Sequence, residues 1–255
     1  MKNMIKKEEE IKKMRIAGQL AAEALEIIEK YVKPNISTNK INDICHEYIT
    51  YQQKSIPACL GYHGFPKSIC ISINDVVCHG IPSERTILKE GDIVNIDITV
   101  IKNGYHGDTS KMFYVGEIGI LAKRLCEVTQ ESLYKALKII KPGIKIYKIG
   151  EIIQNYAENQ NFSVVKEYCG HGIGRNFHEL PHILHYKNKN NNMLLEKGMI
   201  FTVEPMINAG KASVRCMKDG WTIKTKDRSL SAQYEHTILV TKYGCDILTW
   251  RKDEN

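Results

Sequence analysis

Apolar residues in the stretch 8–32, EEEIKKMRIAGQLAAEALEIIEKYV, recur at Ile11, Met14, Ile16, Ala17, Leu20, Ala24, Leu25, Ile27 and Ile28. That spacing of three and four predicts a helix with one buried face. Pro34 ends it, since proline has no N–H to continue the ladder. Ser37 is placed to cap a second helix, carried by INDICHEYITYQQ to about Lys54. Leu121–Lys141, stopped by Pro142-Gly143, and Tyr147–Gln160 repeat the amphipathic pattern. Elsewhere the period falls to two or the run is wholly apolar, which predicts strands at Ser68–Ile73, Val76–His79, Met199–Ile207 and Gln233–Val240. The stretch Ile93–Gly116 predicts a β-hairpin turning at Asn103-Gly104. PACLGYHGFP and CGHGIGRNF predict loops, and KNKNNN at 187–192 an exposed polar turn. Each half thus runs two helices and then strands, a pattern compatible with a pseudo-twofold architecture although no residue-level repeat is visible.

Acids break this pattern at four places. Asp97 and Asp108 lie in the hairpin and are expected to face each other; Glu204 and Glu235 interrupt the two late strands. A carboxylate is a poor strand residue and costs several kcal/mol to bury unpaired. Taken singly, each could sit on an edge strand facing water. Taken together they call for cations, and two divalent ions balance four negative charges. Oxygen ligands suit Mn, Fe, Co or Zn, and His171, framed by glycines in CGHGIG, is the best imidazole to join them.

Composition adds limits. The chain has 255 residues, enough for a substantial core, and 43% of them are hydrophobic. The charged N-terminus lacks a secretory core, and no run approaches the roughly 18 apolar residues of a membrane span, so a soluble, unexported protein is expected. Eight cysteines without a C-x-x-C pair suggest reduced thiols rather than a zinc ribbon or disulfide framework. The net charge of +7 comes with Lys, Ile and Asn throughout and is weak support for an anionic partner.

His178-Glu179-Leu180-Pro181-His182 spells H-E-x-x-H, the signature of mononuclear zinc proteases. Those histidines must share a helical face, and Pro181 inside the motif forbids that helix. His178 and His79 instead precede proline-containing turns, where a side chain can point into a cleft. His63, His106 and His182 are weaker candidates, and His46, His185 and His236 read as structural or surface positions.

NIDITVIKNGYHGDTSKMF, YCGHGIGRNFHELPHI, FTVEPMI, QYEHTILVT, VCHGIPS and GYHGFPKSICISIN together resemble the type I (bacterial) methionine aminopeptidases of metallopeptidase family M24, nearly end to end. The resemblance implies an α+β pita-bread fold, two α/β halves about a pseudo-twofold axis around a central antiparallel sheet, with residues 1–255 as one catalytic domain. It implies Asp97, Asp108, His171, Glu204 and Glu235 as ligands of two divalent ions (Co, Mn, Fe, Zn or Ni), Asp108 and Glu235 bridging. A water activated between the ions would attack the scissile amide with Glu204 as proton shuttle, and His79 and His178 would contact that amide. Cys59, Tyr62, Phe65, Cys70, Phe177 and Trp221 would form the methionine pocket. Phe65 stands where family members often have Tyr. The implied activity is cytoplasmic removal of N-terminal methionine from nascent polypeptides, with a small second residue preferred, by a monomer without membrane contact.

Lys211, Arg215, Lys218, Lys224, Lys226 and Arg228 crowd one stretch around Trp221, either a solvated loop or a basic surface for ribosomal RNA. Two rivals stand beside the main expectation. One is an aminopeptidase P or prolidase relative, which usually carries a large extra N-terminal domain. The other is a non-catalytic module of the same fold, which should lack some ligands.

Overall fold

The computed structural model describes residues 4–254. In chain order these form α1 (Glu8–Glu29), α2 (Thr38–Glu47), β1 (Ile56–Pro57), β2 (Cys70–Ile73), β3 (Val76–Cys78), β4 (Ile93–Lys102) and β5 (Tyr105–Tyr114). After α3 (Ile120–Leu137) and α4 (Tyr147–Asn159) come β6 (Ser163–Val164), β7 (Gly170–Gly172), β8 (Glu179–Ile183), β9 (Ile200–Val203) and β10 (Met206–Asn208). The chain ends with β11 (Val214–Cys216), β12 (Ile223–Thr225), β13 (Ser231–Gln233), β14 (Glu235–Val240) and β15 (Cys245–Ile247).

Helix α1 opens with Glu8, Glu9 and Glu10, acids suited to the positive end of a helix dipole, and buries Ile11, Met14, Ala17, Ala21, Leu25 and Ile28. Ile16, counted on that face from sequence, is 45% exposed. The Ser37 side chain caps α2 by accepting from the Lys40 N–H at 3.1 Å. The α-helix ends at Glu47 and a wider π turn, Tyr48–Gln52, finishes the segment predicted as helix to Lys54.

The main sheet runs β1-β4-β5-β14-β9-β7-β8, with β2 on β4 and β15 on β14, and its pairs are antiparallel. The two halves of the chain meet at the β5–β14 seam. Residues of α1 and α2 share one apolar cluster with β4, while those of α3 and α4 share another with β9 and β14. Two helices and a strand pair on either side of one seam make the pita-bread fold that the resemblance implies.

Three local expectations change. Met199–Ile207 is not one strand: β9 belongs to the main sheet, and β10 pairs with β13 and β6 in a second sheet. Pro205, which has no N–H for a ladder, stands at the break beside Glu204. Gln233–Val240 likewise divides at Tyr234 into β13 and β14. His171 lies in a strand rather than a loop, because β7 slots between β9 and β8. Its glycines are needed there: a Cβ would come within 2.4 Å of Thr202 O at Gly170 and 2.1 Å of Leu180 O at Gly172. The H-E-x-x-H run leads into β8 and forms no helix. No helix among the described residues is long and apolar enough to cross a membrane.

Helix α1 rests directly on β5. A Cβ on Gly107 would stand 2.3 Å from the backbone of Ala17 and Gly18, with no flexible side chain to yield. Gly107→Ala is therefore expected to destabilise the protein by about 1–3 kcal/mol through overpacking, read as a lowered urea midpoint. An unchanged midpoint would show that α1 can lift at no cost.

Candidate metal centre

Strand register places three of the acids on one face. Asp97 on β4 and Glu235 on β14 both sit opposite Ser110 of β5, so the three form a row across the seam. Asp108 lies two residues along β5 on the same face. Asp97 and Asp108 are thus diagonal neighbours, offset by the register, and do not face each other directly. Ser110, which the sequence did not single out, keeps the middle of the row small, and its buried hydroxyl has no hydrogen-bond partner among the described residues. Glu204 follows β9 immediately, and β7 brings His171 alongside.

Threonines hold the acids. Thr99 donates to Asp108 Oδ1 at 2.7 Å, and Thr202 donates to Glu204 Oε1 at 2.7 Å while receiving the His171 N–H at 3.0 Å. Gln233 Nε2 donates to Glu204 Oε2 at 3.2 Å. The Glu204 N–H donates to His185 Nε2 at 3.1 Å. His185 and His236, read from sequence as structural or surface positions, are both completely buried and structural, His185 accepting the Glu204 N–H and His236 lying beside Thr249 and Arg251. Their partners lie far along the chain or in the C-terminal segment, so only the folded chain reveals them.

The electrostatics leave a gap that a cation fits. Burial pushes Asp97 up to about 7 and Glu204 up to about 8. Burial, then neighbouring carboxylates, hold Asp108 and Glu235 well above the usual acid range. His171 is driven down to about 3, chiefly by burial, and is neutral at pH 7. Its Nδ1 lies 3.0 Å from Gly172 O, an acceptor, so Nδ1 carries the proton and Nε2 a lone pair. That lone pair faces Asp108 Oδ2 at 3.7 Å and Glu204 Oε1 at 3.5 Å, spacings too long for a good hydrogen bond. Asp108, His171 and Glu235 offer ligand atoms within 4.8 Å of one another, and buried Asp97 Oδ1 has no partner among the described residues. The donor set therefore fits divalent cations.

A cavity of about 280 Å³ opens onto this cluster. Cys59, Phe65 and Cys70 pack together with Ile81, Phe177 and Trp221, an apolar patch rich in sulfur and aromatic surface; Ile81 was not foreseen. Phe65 meets Trp221 edge-on at 5.2 Å between ring centres. Tyr62 lies beside Phe177, and its hydroxyl is 2.7 Å from His178 Nδ1. His79 and His178 both line the cavity, each driven to about 4, first by burial. Tyr168, Met206 and Gln233 line it too, unflagged by the sequence because their types carry no chemical signature.

This fold and this cluster are those of a metallopeptidase. The sequence pattern of metallopeptidase family M24 matches residues 12–242. A methionine aminopeptidase of Buchnera aphidicola (subsp. Acyrthosiphon pisum, strain APS) is 74% identical over 255 residues, covering 100% of this chain and 97% of that protein. That of Escherichia coli (strain K12) is 64% identical over 250 residues, 98% of this chain and 95% of that one. The crystal structure of the Rickettsia prowazekii methionine aminopeptidase superposes with a TM-score of 0.94 at 55% identity, covering 96% of this chain and 99% of that chain. The chain belongs to metallopeptidase family M24 and is, within it, a methionyl aminopeptidase of the type I (bacterial) kind.

Ion removal gives a pH signature. Acids whose folded pKa is raised make the folded state hold more protons than the unfolded chain, so stability falls as pH rises through the shifted values. The buried histidines, shifted down, stop contributing a slope above their unfolded value near 6.5. Chelator-stripped protein is thus expected to have a lower urea midpoint at pH 8.5 than at pH 7, and a saturating divalent ion to abolish the difference. A stripped protein equally stable at both would contradict the buried, mutually repelling acids.

Proposed function

We propose that the enzyme removes N-terminal methionine from nascent proteins and peptides, preferring a small second residue, with residues 1–255 acting as one catalytic domain. Two divalent ions (Co, Mn, Fe, Zn or Ni) would be held by Asp97, Asp108, His171, Glu204 and Glu235, with Asp108 and Glu235 shared. Bound there, they would acidify a water and polarise the substrate carbonyl. The observation that carries this is the buried cluster of Asp108, His171 and Glu235, whose ligand atoms lie within 4.8 Å of one another with Glu204 Oε1 3.5 Å from His171 Nε2.

The chain's own groups do the remaining work. Glu204, held by Thr202 and Gln233 beside the expected ions, would take a proton from the attacking water and return it to the leaving amine. The Tyr62 hydroxyl lies 2.7 Å from His178 Nδ1; by donating there it would leave the proton of neutral His178 on Nε2, for donation to the carbonyl oxygen as charge develops. His79, partly buried and neutral, would contact the amide nitrogen. The patch of Cys59, Tyr62, Phe65, Cys70, Phe177 and Trp221 would receive the thioether side chain. Phe65 serves by ring contact alone. Met206 and Gln233, both buried, add bulk around the cavity and favour a small second residue.

One chain supplies all five expected ligands, which supports a monomer as the working unit. All eight cysteines are free, which supports a reducing, cytoplasmic setting. Lys211, Arg215, Lys218, Lys226 and Arg228 are exposed on and around the β11–β12 hairpin, while Lys224 pairs with Asp75 at 3.0 Å. This surface would approach ribosomal RNA. Co-sedimentation with ribosomes is expected at low salt and lost as salt rises; salt-insensitive binding would count against it.

Met-Ala-Ser is expected to be cut after chelation and ion add-back, and X-Pro peptides left intact. His178→Ala should lower kcat by about 10²-fold to 10³-fold, the usual cost of one oxyanion donor, with ion content unchanged. Turnover of X-Pro peptides, or none of Met-Ala-Ser with any divalent ion, would overturn the reading.

A further inference from the structure

Arg251 is 1% exposed, although no substrate cavity or expected ligand touches it, and a buried guanidinium is costly unless its hydrogen bonds serve something. It lies in the C-terminal segment, against the face of the sheet turned away from the acids. Its Nη1 donates to Thr109 Oγ1 at 2.6 Å, and Thr109 Oγ1 donates to the backbone carbonyl of Glu235 at 2.7 Å. Thr109 is the residue after Asp108. One relay therefore ties Arg251 to the strand segments carrying both expected bridging acids.

The contacts around it are equally directed. Arg251 Nη2 pairs with Glu254 and lies 3.4 Å from His236 Nε2, and Tyr134 of α3 donates to Glu254 Oε1 at 2.6 Å. Thr249 Oγ1 receives the Thr237 N–H at 3.2 Å and lies 2.9 Å from His236 Nδ1. Thr237 Oγ1 in turn receives the Asp108 N–H at 3.1 Å and donates to the Asp108 carbonyl at 2.8 Å. Residues 248–254 thus grip 235–237 and 108–109 from behind, where β5 and β14 meet across the seam.

We propose that Arg251 is a positioning residue for the metal centre: through the Thr109 hydroxyl it fixes the spacing of Asp108 and Glu235 and so tunes affinity for the shared ions. This rests on the reading of those two acids as ligands. The effect passes through backbone, since Asp108 and Glu235 point to one face of the sheet and Thr109 and His236 to the other. Partners of this kind behind ligands change metal affinity by about 10-fold to 100-fold when removed.

The test titrates Co(II) alone into chelator-stripped protein, following heat and the visible absorption of the bound ion, for wild type, Asp108→Asn, Arg251→Met, Thr109→Val and Thr109→Ser. Wild type that binds and Asp108→Asn that does not establish the ligand reading first; failure there overturns that reading and with it the proposal. Thr109→Val keeps the volume and loses only the relay hydroxyl, so it remains informative if Arg251→Met does not fold. Its Co(II) affinity is expected to fall about 10-fold or more, with an altered absorption band and a lower kcat at unchanged KM, while Thr109→Ser recovers wild-type values. Folded Thr109→Val with wild-type affinity and spectrum would reduce the cluster to structural packing and overturn the proposal.

Discussion

Four carboxylates converge on one face of a sheet at the seam between two halves of the chain, and most of the architecture answers to that. Like charges this close, out of water, repel and resist ionisation; burial drives them up and a cation relieves them. Placing them needs β4 and β5 from one half and β14 and β9 from the other, with Ser110 small enough to leave the centre open. The helices on the opposite face supply the apolar burial that offsets the strain.

The site is rigid for the same reason. Thr99 and Thr202 fix carboxylate oxygens, Thr109 and Thr237 fix backbone carbonyls, and His185 takes the Glu204 N–H. The four threonines ride on paired strands rather than loops, so the geometry exists before substrate arrives. The side that meets substrate is built differently, from aromatic rings, thiols and two neutral histidines, surfaces that suit an apolar side chain and a polarised amide.

Much of this was legible in the sequence. Helical spacing located α1, α3 and α4, and Asn103-Gly104 located the hairpin turn, because these signals are local. The acids stood out because charge inside a strand pattern is anomalous whatever its partners. What the sequence hid is set by partners distant along the chain. The offset of Asp97 and Asp108 follows from the hairpin register, and the strand at His171 forms only because β9 and β8 flank it. The break at Glu204 sends the chain between two sheets. His185 and His236 read as structural or surface positions and Arg251 carried no signal at all, since their roles depend on which groups lie beside them in the folded chain.

Anomalous diffraction at the cobalt edge from Co(II)-soaked crystals would test the central claim most directly. Two peaks should appear beside one another at the β5–β14 seam, both contacted by Asp108 and Glu235, with His171 at one and Asp97 at the other. A single peak, or peaks away from that seam, would contradict a two-ion centre built across the two halves.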